Sequence, residues 1–190
     1  MTREPKYSII LNAAFFKPCV FNQSVRRRAK GDIFMKWFNI YGLIFVAVIL
    51  IPNIVFAVRY KDGFENRWEN KYVETLEQIG RFGCFGLMIF NIPGTCFGWR
   101  SDAAFALYLV VGAALAAAYC LIWIVCFRKN SIFRALALSI IPSALFLFCG
   151  VMERSLLLII ASLVFAPTHI LLSYKNADAE RKANCLKEVL

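Results

Sequence analysis

Five long stretches of the chain contain no charged residue, and this pattern constrains the fold more than any other feature of the sequence. A helix needs about 20 apolar residues to cross the hydrocarbon core of a bilayer. Two stretches are slightly shorter and gain a turn from their flanks, so the predicted spans are 37–58, 73–99, 103–127, 132–152 and 155–174. Each run is continuously apolar, and only helical hydrogen bonds within the run can satisfy its backbone. The sequence therefore predicts an all-α, polytopic transmembrane bundle.

Composition supports a membrane protein and argues against two other classes. Apolar residues make up 60% of the 190 residues, which leaves too little polar surface to coat a soluble globule. The net charge of +10 is also typical of nucleic-acid-binding proteins, but the basic residues are dispersed among the connections and no nucleic-acid-binding motif is present. We expect the lipid bilayer of the cell membrane as a partner, and no nucleic acid.

The basic N-terminal segment, residues 1–34, differs from the rest of the chain. Its apolar run SIILNAAFFKPCVF is too short to span and is followed by VRRRAK. Either VRRRAK anchors the N-terminus on the cytoplasmic side, or the native chain begins at Met35 and the preceding residues come from an upstream start. A third possibility, that VRRRAK binds acidic lipid head groups, is compatible with either orientation. We favour the second interpretation, because Met35 directly precedes a Lys-Trp flank that would open the first span.

The number of Lys and Arg residues in the connections predicts the orientation. Without residues 1–34, the two sides carry eleven and three basic residues, and with them the difference disappears. The eleven are Arg59, Lys61, Arg67, Lys71, Arg128, Lys129, Arg134, Lys175, Arg181, Lys182 and Lys187, and the three are Lys36, Arg100 and Arg154. The first count places the N-terminus outside and the tail, 175–190, in the cytoplasm, where a short polar helix is predicted.

The second span carries a polar stripe at helical spacing. Glu74, Glu77, Gln78 and Arg81 recur at intervals of three and four, and the stripe continues through Cys84, Met88, Asn91 and Thr95. Glu77 and Arg81 have the orientation that favours an ion pair. If the helix begins near Tyr72, the pair lies in a polar cavity inside the bundle. If the span begins only at Phe82, the charges belong to a solvated interfacial turn, and both interpretations remain open.

The single histidine, His169, follows Pro167 by two residues in the last span. A buried imidazole could relay protons or bind a ligand, but a hydrogen-bonded packing role is favoured because that span contains no acid or second histidine. A metal site needs about three or four ligands, so no metal or cofactor is predicted. The seven cysteines form no CxxC pair and are interpreted as free thiols.

Prolines and glycines interrupt the apolar runs. Four spans contain an interior proline, which predicts kinks whose freed carbonyls are satisfied by neighbouring groups: Pro52, Pro93, Pro142 and Pro167. Asn53 and Asn91 lie close to two of them, which is compatible with a binding site at a broken helix. Small residues at helical spacing predict close helix packing: Gly80, Gly83, Gly86, Gly94, Gly98 and Gly112.

Two short segments are similar in part to motifs of the CAAX-processing-type intramembrane proteases, EExxxR followed by FxxxH and a further His. Leu76-Glu77-xxx-Arg81 and Phe165-xxx-His169 carry the match. Leu76 stands in place of the first acid and the further His is missing, so we do not assign the chain to that family.

Three classes of function remain. We favour a membrane protein that binds or transports a small or lipidic substrate in a polar pocket lined by the second span. The candidate ligand-binding residues are Glu74, Glu77, Gln78, Arg81, Asn91 and His169. The alternative is an accessory or structural protein without a pocket, which would assemble with a membrane-protein partner or with its own copies. An intramembrane enzyme ranks third, because no complete catalytic constellation is present.

Overall fold

The computed structural model describes residues 37–60, 66–92, 99, 101–127 and 131–189. They form five helices, which we number α1 (Ile40–Arg59), α2 (Lys71–Ile89), α3 (Asp102–Cys126), α4 (Ile132–Glu153) and α5 (Leu156–Val189). The predicted all-α class is confirmed, and the described ranges contain no strand beyond an isolated bridge between Phe38 and Phe90. Residues 1–34, Pro93, Gly94, Thr95 and Gly98 lie outside the described residues.

Four helices, α1, α3, α4 and α5, are long and apolar enough to cross a membrane. Their outer faces expose large apolar side chains, such as Val58, Val110, Ile124 and Leu163. A continuous apolar surface of this kind is unfavourable in water and suits a lipid environment. The structure therefore fits a multi-pass membrane protein. The helix α2 falls outside this set because it carries charged residues along its length.

The path of the chain requires α2 to run the length of the bundle. The first residues of α1 and α3 lie together, since the Tyr41 and Phe105 rings are 5.4 Å apart. The chain must therefore return between the end of α1 and the start of α3, and α2 makes this return. Its last residue, Ile89, accepts a hydrogen bond from the Asn39 backbone N–H at the start of α1 (2.8 Å). With 19 residues, α2 is about 29 Å long, close to the thickness of a hydrocarbon core.

The helix α2 ends earlier than the sequence predicted. The predicted span reached residue 99, whereas the helix ends at Ile89. The backbone at Phe90 becomes extended, and the next N–H, that of Asn91, donates to the carbonyl oxygen of Trp37 at 2.7 Å. Pairing with the segment before α1 thus replaces the helical hydrogen bonds at this point.

The C-terminal region also differs from the predicted separate tail helix at 175–190. The helix α5 continues without a break from Leu156 to Val189, and its 34 residues extend about 51 Å, well beyond one hydrocarbon thickness. The Asn176 side-chain oxygen accepts hydrogen bonds from the backbone N–H groups of Arg67 (3.0 Å) and Trp68 (2.9 Å). The extension is therefore fixed to the segment that precedes α2.

The helix α5 packs along both α2 and α4, and α3 packs along α4 and α1. Glycines permit the closest approach between α2 and α5. A Cβ at Gly80 would lie 2.8 Å from Phe165 Cα, and one at Gly83 would lie 3.4 Å from Ala161 Cβ. Gly86, in contrast, has no neighbour within 4 Å. Two of the three predicted packing glycines in α2 therefore face α5.

The helices α1, α4 and α5 continue through Pro52, Pro142 and Pro167. Pro52 cannot donate to the carbonyl of Val48, four residues earlier. The Cys120 thiol lies 3.9 Å from that carbonyl oxygen and donates to it. A neighbouring helix thus satisfies the carbonyl that this proline leaves free.

A buried polar cluster closes the end of the bundle at which α1 and α3 begin. The Asn39 side-chain NH₂ donates to Glu153 Oε1 at 2.5 Å and to the Tyr108 hydroxyl at 3.2 Å, while its oxygen caps α1. Glu153 and Tyr108 are fully buried. Glu153 directly follows the fourth predicted span, 132–152, and was not predicted as a site residue, yet in the structure its side chain is buried in the bundle.

Candidate functional site

A large cavity lies among the five helices and extends to the end of the bundle where α2 and α4 begin. We call this the polar end, with Lys71 and Ile132 as its first helical residues. The cavity has a volume of about 1030 Å³. This lies at the upper limit of about 300–1,000 Å³ that is usual for small-molecule sites. Both polar and apolar side chains line it.

Glu77 organises the side chains on the α2 side of the cavity. Its carboxylate is fully buried, and its Oε1 accepts hydrogen bonds from Arg81 Nε (2.9 Å) and Arg81 Nη2. The same oxygen lies 2.8 Å from His169 Nδ1 on α5. The side chains of Arg81 and His169 keep 34% and 19% of their surface exposed, and both line the cavity. Glu77 itself does not line it, so this acid positions the two residues that do.

The position of α2 decides between the two interpretations of its charges. The Asn70 side chain caps the helix at Val73 N, and Glu74 accepts from the Asn70 backbone N–H at 3.0 Å. Because the helix begins at Lys71, Arg81 lies about 15 Å along it, near its middle. Glu77 has no exposed surface, so the pair is not part of a solvated turn. These charges border a cavity inside the bundle.

The structure brings together five of the six predicted site residues. Glu74, Gln78, Arg81 and His169 line the cavity, and Glu77 lies directly behind Arg81 and His169. Asn91 is the exception, because it lies beside Trp37 at the opposite end of α2. The predicted stripe continued to Asn91, but α2 ends at Ile89, before this residue.

The cavity residues on α1, α3 and α4 were not predicted as site residues from the sequence. Arg134, in the first turn of α4, was counted there as a topology signal. Its guanidinium lies 5.2 Å from the Phe56 ring centroid and 5.9 Å from that of Trp123. It also donates to the carbonyl oxygen of Phe127 at the end of α3 (3.3 Å). No signal within α4 indicates this role, because it depends on contacts of Arg134 with residues of α1 and the end of α3.

A second missed pair connects α1 and α3. The Tyr119 hydroxyl donates to Asn53 Oδ1 at 2.8 Å, and the Asn53 NH₂ group donates back to the Ile49 carbonyl. Both side chains line the cavity. The sequence analysis noted Asn53 only for its position after Pro52.

The two segments that resemble protease motifs do meet in space. Glu77 and His169 are 92 residues apart in sequence, and the Phe165 ring stacks on His169 with centroids 4.5 Å apart. Glu77, however, has no surface in the cavity, so a bound molecule would contact His169 and Arg81 but not this carboxylate. Among the described residues, no group of three or more His, Cys, Asp or Glu side chains could hold a metal ion.

The four apolar helices α1, α3, α4 and α5, the charged helix α2 and the internal cavity together fit the class of multi-pass helical membrane proteins. Comparison with known proteins adds no narrower assignment, because no family model, curated protein or solved structure matches the chain.

Proposed function

We propose that this protein binds a small or lipidic substrate in the cavity among its helices and holds it there or transports it across the membrane. The observation that supports this most is the arrangement around Glu77, a buried acid that directs Arg81 and His169 toward a cavity of about 1030 Å³. Ionisable groups are costly inside a membrane, and when present they commonly mark substrate or ion pathways.

A purely structural role explains these features less well. Protein interiors are close-packed, and an apolar bundle of the same size could be stable without a large cavity or a buried charge. Catalysis is also less well supported, since the buried carboxylate of Glu77 does not contact the cavity. Binding makes use of the volume, the exposed donors and the mixed lining.

Native mass spectrometry of the purified protein tests the binding proposal. We expect a co-purifying small molecule or lipid in stoichiometric amount. Ser173→Trp should remove most of it, because Ser173 lines the cavity and a tryptophan there would fill part of the space. Leu171→Trp, two residues earlier on α5 and 40% exposed on the outside, is the matched control and should retain it.

Two outcomes would contradict this proposal. One is a wild-type protein that carries no small molecule, and the other is a bound molecule that Ser173→Trp leaves in place. A reproducible stoichiometric protein partner, in the absence of any small molecule, would instead support an accessory role.

We further propose that the polar end faces the cytoplasm and that the membrane is the cell membrane. Eleven basic residues belong to the connections and the tail at this end, and cytoplasmic segments are enriched in Lys and Arg. Cys185 is an exposed free thiol near the end of α5. A membrane-impermeant maleimide should therefore label Cys185 only after cells are permeabilised, and Cys185→Ser should remove this signal. Labelling of Cys185 in intact cells would reverse the orientation.

A further inference from the structure

We infer that the substrate of the cavity is an anionic amphiphile, with an alkyl chain and a carboxylate or phosphate head group. This inference rests on the proposed binding function and narrows it to a chemical class. Two independent features support it: the polarity of the lining changes along the cavity, and the lining carries more cations than anions.

On three of the five helices, α2, α4 and α5, the lining changes from mainly polar to mainly apolar with distance from the polar end, whereas the α1 lining begins with Ala57 and Ile54. Along α2, Glu74, Gln78 and Arg81 are followed by Phe85. Along α4, Ser131 and Arg134 are followed by Leu138, Pro142 and Phe146. Along α5, which runs in the opposite direction, the order from the polar end is Asn176, Ser173, His169 and Phe165. A molecule that matches this lining is polar at the mouth and apolar inside.

The inner end of the cavity is formed by packed aromatic rings. The Phe146 ring lies 5.7 Å from the Phe85 ring and 5.6 Å from the Phe165 ring, measured between centroids. These three side chains come from α2, α4 and α5. They offer a dry, apolar surface suited to an alkyl chain, because burying hydrocarbon there removes it from water.

The charges of the lining favour a negative head group. Four arginines and two glutamates line the cavity, and with the buried Glu77 included the cations still outnumber the acids. The four are Arg67, Arg81, Arg134 and Arg181, and the two are Glu74 and Glu180. Glu74 is already engaged by the Asn66 side chain (2.5 Å) and by the Asn70 backbone. The side chains that line the cavity therefore carry a net positive charge, and two of the four arginines have an acidic partner: Arg81 pairs with Glu77, and Arg181 pairs with Asp178 at 2.9 Å.

Arg81 retains hydrogen-bonding capacity for such a head group. A guanidinium has five N–H donors, and two of those of Arg81 are directed to Glu77 Oε1. The other three have no acceptor among the residues that the structure describes. Arginine binds carboxylate and phosphate groups through paired N–H donors, which suits either head group.

The start of α4 adds to the positive potential. Ser131, Ile132 and Ala135 border the cavity, and the first turn of α4 contains Arg134 but no acid. The N-terminus of a helix carries a partial positive charge, and acids usually offset it in the first turn. Both the N-terminus of α4 and the Arg134 guanidinium therefore border the cavity.

Competition binding to the full-length protein in detergent tests the inference directly. The probe is radiolabelled palmitate, and the competitors are unlabelled palmitate, hexadecyl phosphate, hexadecanol and acetate. We expect palmitate and hexadecyl phosphate to compete, and hexadecanol to be at least about tenfold weaker because it lacks the charge. Acetate should not compete, because it lacks the chain. The ranking of the two anions distinguishes a fatty acid from a phosphate-bearing lipid.

Variants of Arg134 provide a second test of the anionic class. Arg134→Gln should weaken palmitate binding by about tenfold, and Arg134→Lys should recover most of the affinity because it restores the charge. Arg154→Gln is the control, since Arg154 is exposed at the opposite end of the bundle and should bind as the wild type does. The competitor series on the wild-type protein needs no variant and remains decisive if Arg134→Gln does not fold.

The outcomes separate this inference from the proposed function. If hexadecanol competes as well as palmitate, or if Arg134→Gln binds palmitate normally, the anionic class is wrong while substrate binding stands. If no competitor or probe binds and no small molecule co-purifies, both proposals fail.

Discussion

Replacing Glu77 with leucine is expected to lower the free energy of unfolding by about 3 kcal/mol, the lower end of the range for breaking a buried ion pair. The carboxylate is fully buried and accepts hydrogen bonds from Arg81 and His169, so its removal leaves two donors without their acceptor. The loss should not be larger, because Arg81 reaches the cavity and can be partly solvated there.

Thermal unfolding with a thiol-reactive dye can measure this loss in a Cys185→Ser background, which removes the exposed thiol. Cys84, Cys126 and Cys149 are free and buried, so each reacts only when the bundle opens. Glu77→Gln should be milder than Glu77→Leu, because the amide retains one oxygen acceptor.

The double variant Glu77→Leu/Arg81→Leu provides the control for this prediction. It should lose less stability than the sum of the two single changes, since no unpaired charge remains. A Glu77→Leu protein as stable as the wild type would contradict the prediction. It would show that Arg81 and His169 are placed independently of this acid.

Adding a single methyl group at Gly42 is the second change with a large expected effect. A Cβ at Gly42 would lie 2.0 Å from the Met88 carbonyl oxygen, and the backbone of α2 would have to move away from α1. Gly80→Ala would similarly meet the Phe165 backbone at 2.8 Å and separate α2 from α5. We expect losses of about 3 kcal/mol for Gly42→Ala and about 2 kcal/mol for Gly80→Ala, within the range for overpacking.

Gly86→Ala is the matched control in the same helix. No atom lies within 4 Å of its added Cβ, so the substitution should stabilise α2 by about 0.5–1 kcal/mol through reduced backbone entropy. The same dye-based unfolding measurement applies to all three variants. Equal stability of Gly42→Ala and Gly86→Ala would contradict the close contact of α1 with α2.

The two glycine contacts also connect stability with the candidate site. Gly80 lies between Glu77 and Arg81 in sequence, and its contact with Phe165 brings α5 close enough for His169 to reach Glu77. Gly80→Ala is therefore expected to disturb the cavity as well as the packing. Gly42 lies at the other end of α2, beside Met88 and Asn39, and does not line the cavity.

Much of the candidate site was predictable from the order of residues within one helix. The spacing of Glu74, Glu77, Gln78 and Arg81 placed them on one face of α2, and the structure agrees. The same argument could not predict that α2 ends at Ile89. That end depends on the Asn91 backbone pairing with Trp37, a contact between segments far apart in the sequence.

His169 illustrates what a single sequence cannot provide. Its own span contains no acid, so a packing role was favoured, yet Glu77 on another helix lies 2.8 Å from its Nδ1. Arg134 was counted only as a basic residue that predicts orientation, because its contacts with Phe56 and Trp123 lie on other helices. Which helices are neighbours determines both assignments, and the apolar pattern of each span is compatible with many arrangements.

The sequence by itself determined the all-α class and the helices that are long and apolar enough to cross a membrane, because length and apolarity can both be read along the chain. Only the tertiary structure decided that charged α2 runs through the bundle and that Glu77 binds both Arg81 and His169. It also decided that a cavity with both polar and apolar lining lies among the five helices. These features depend on which helix faces meet, and that is set by packing between residues distant in sequence.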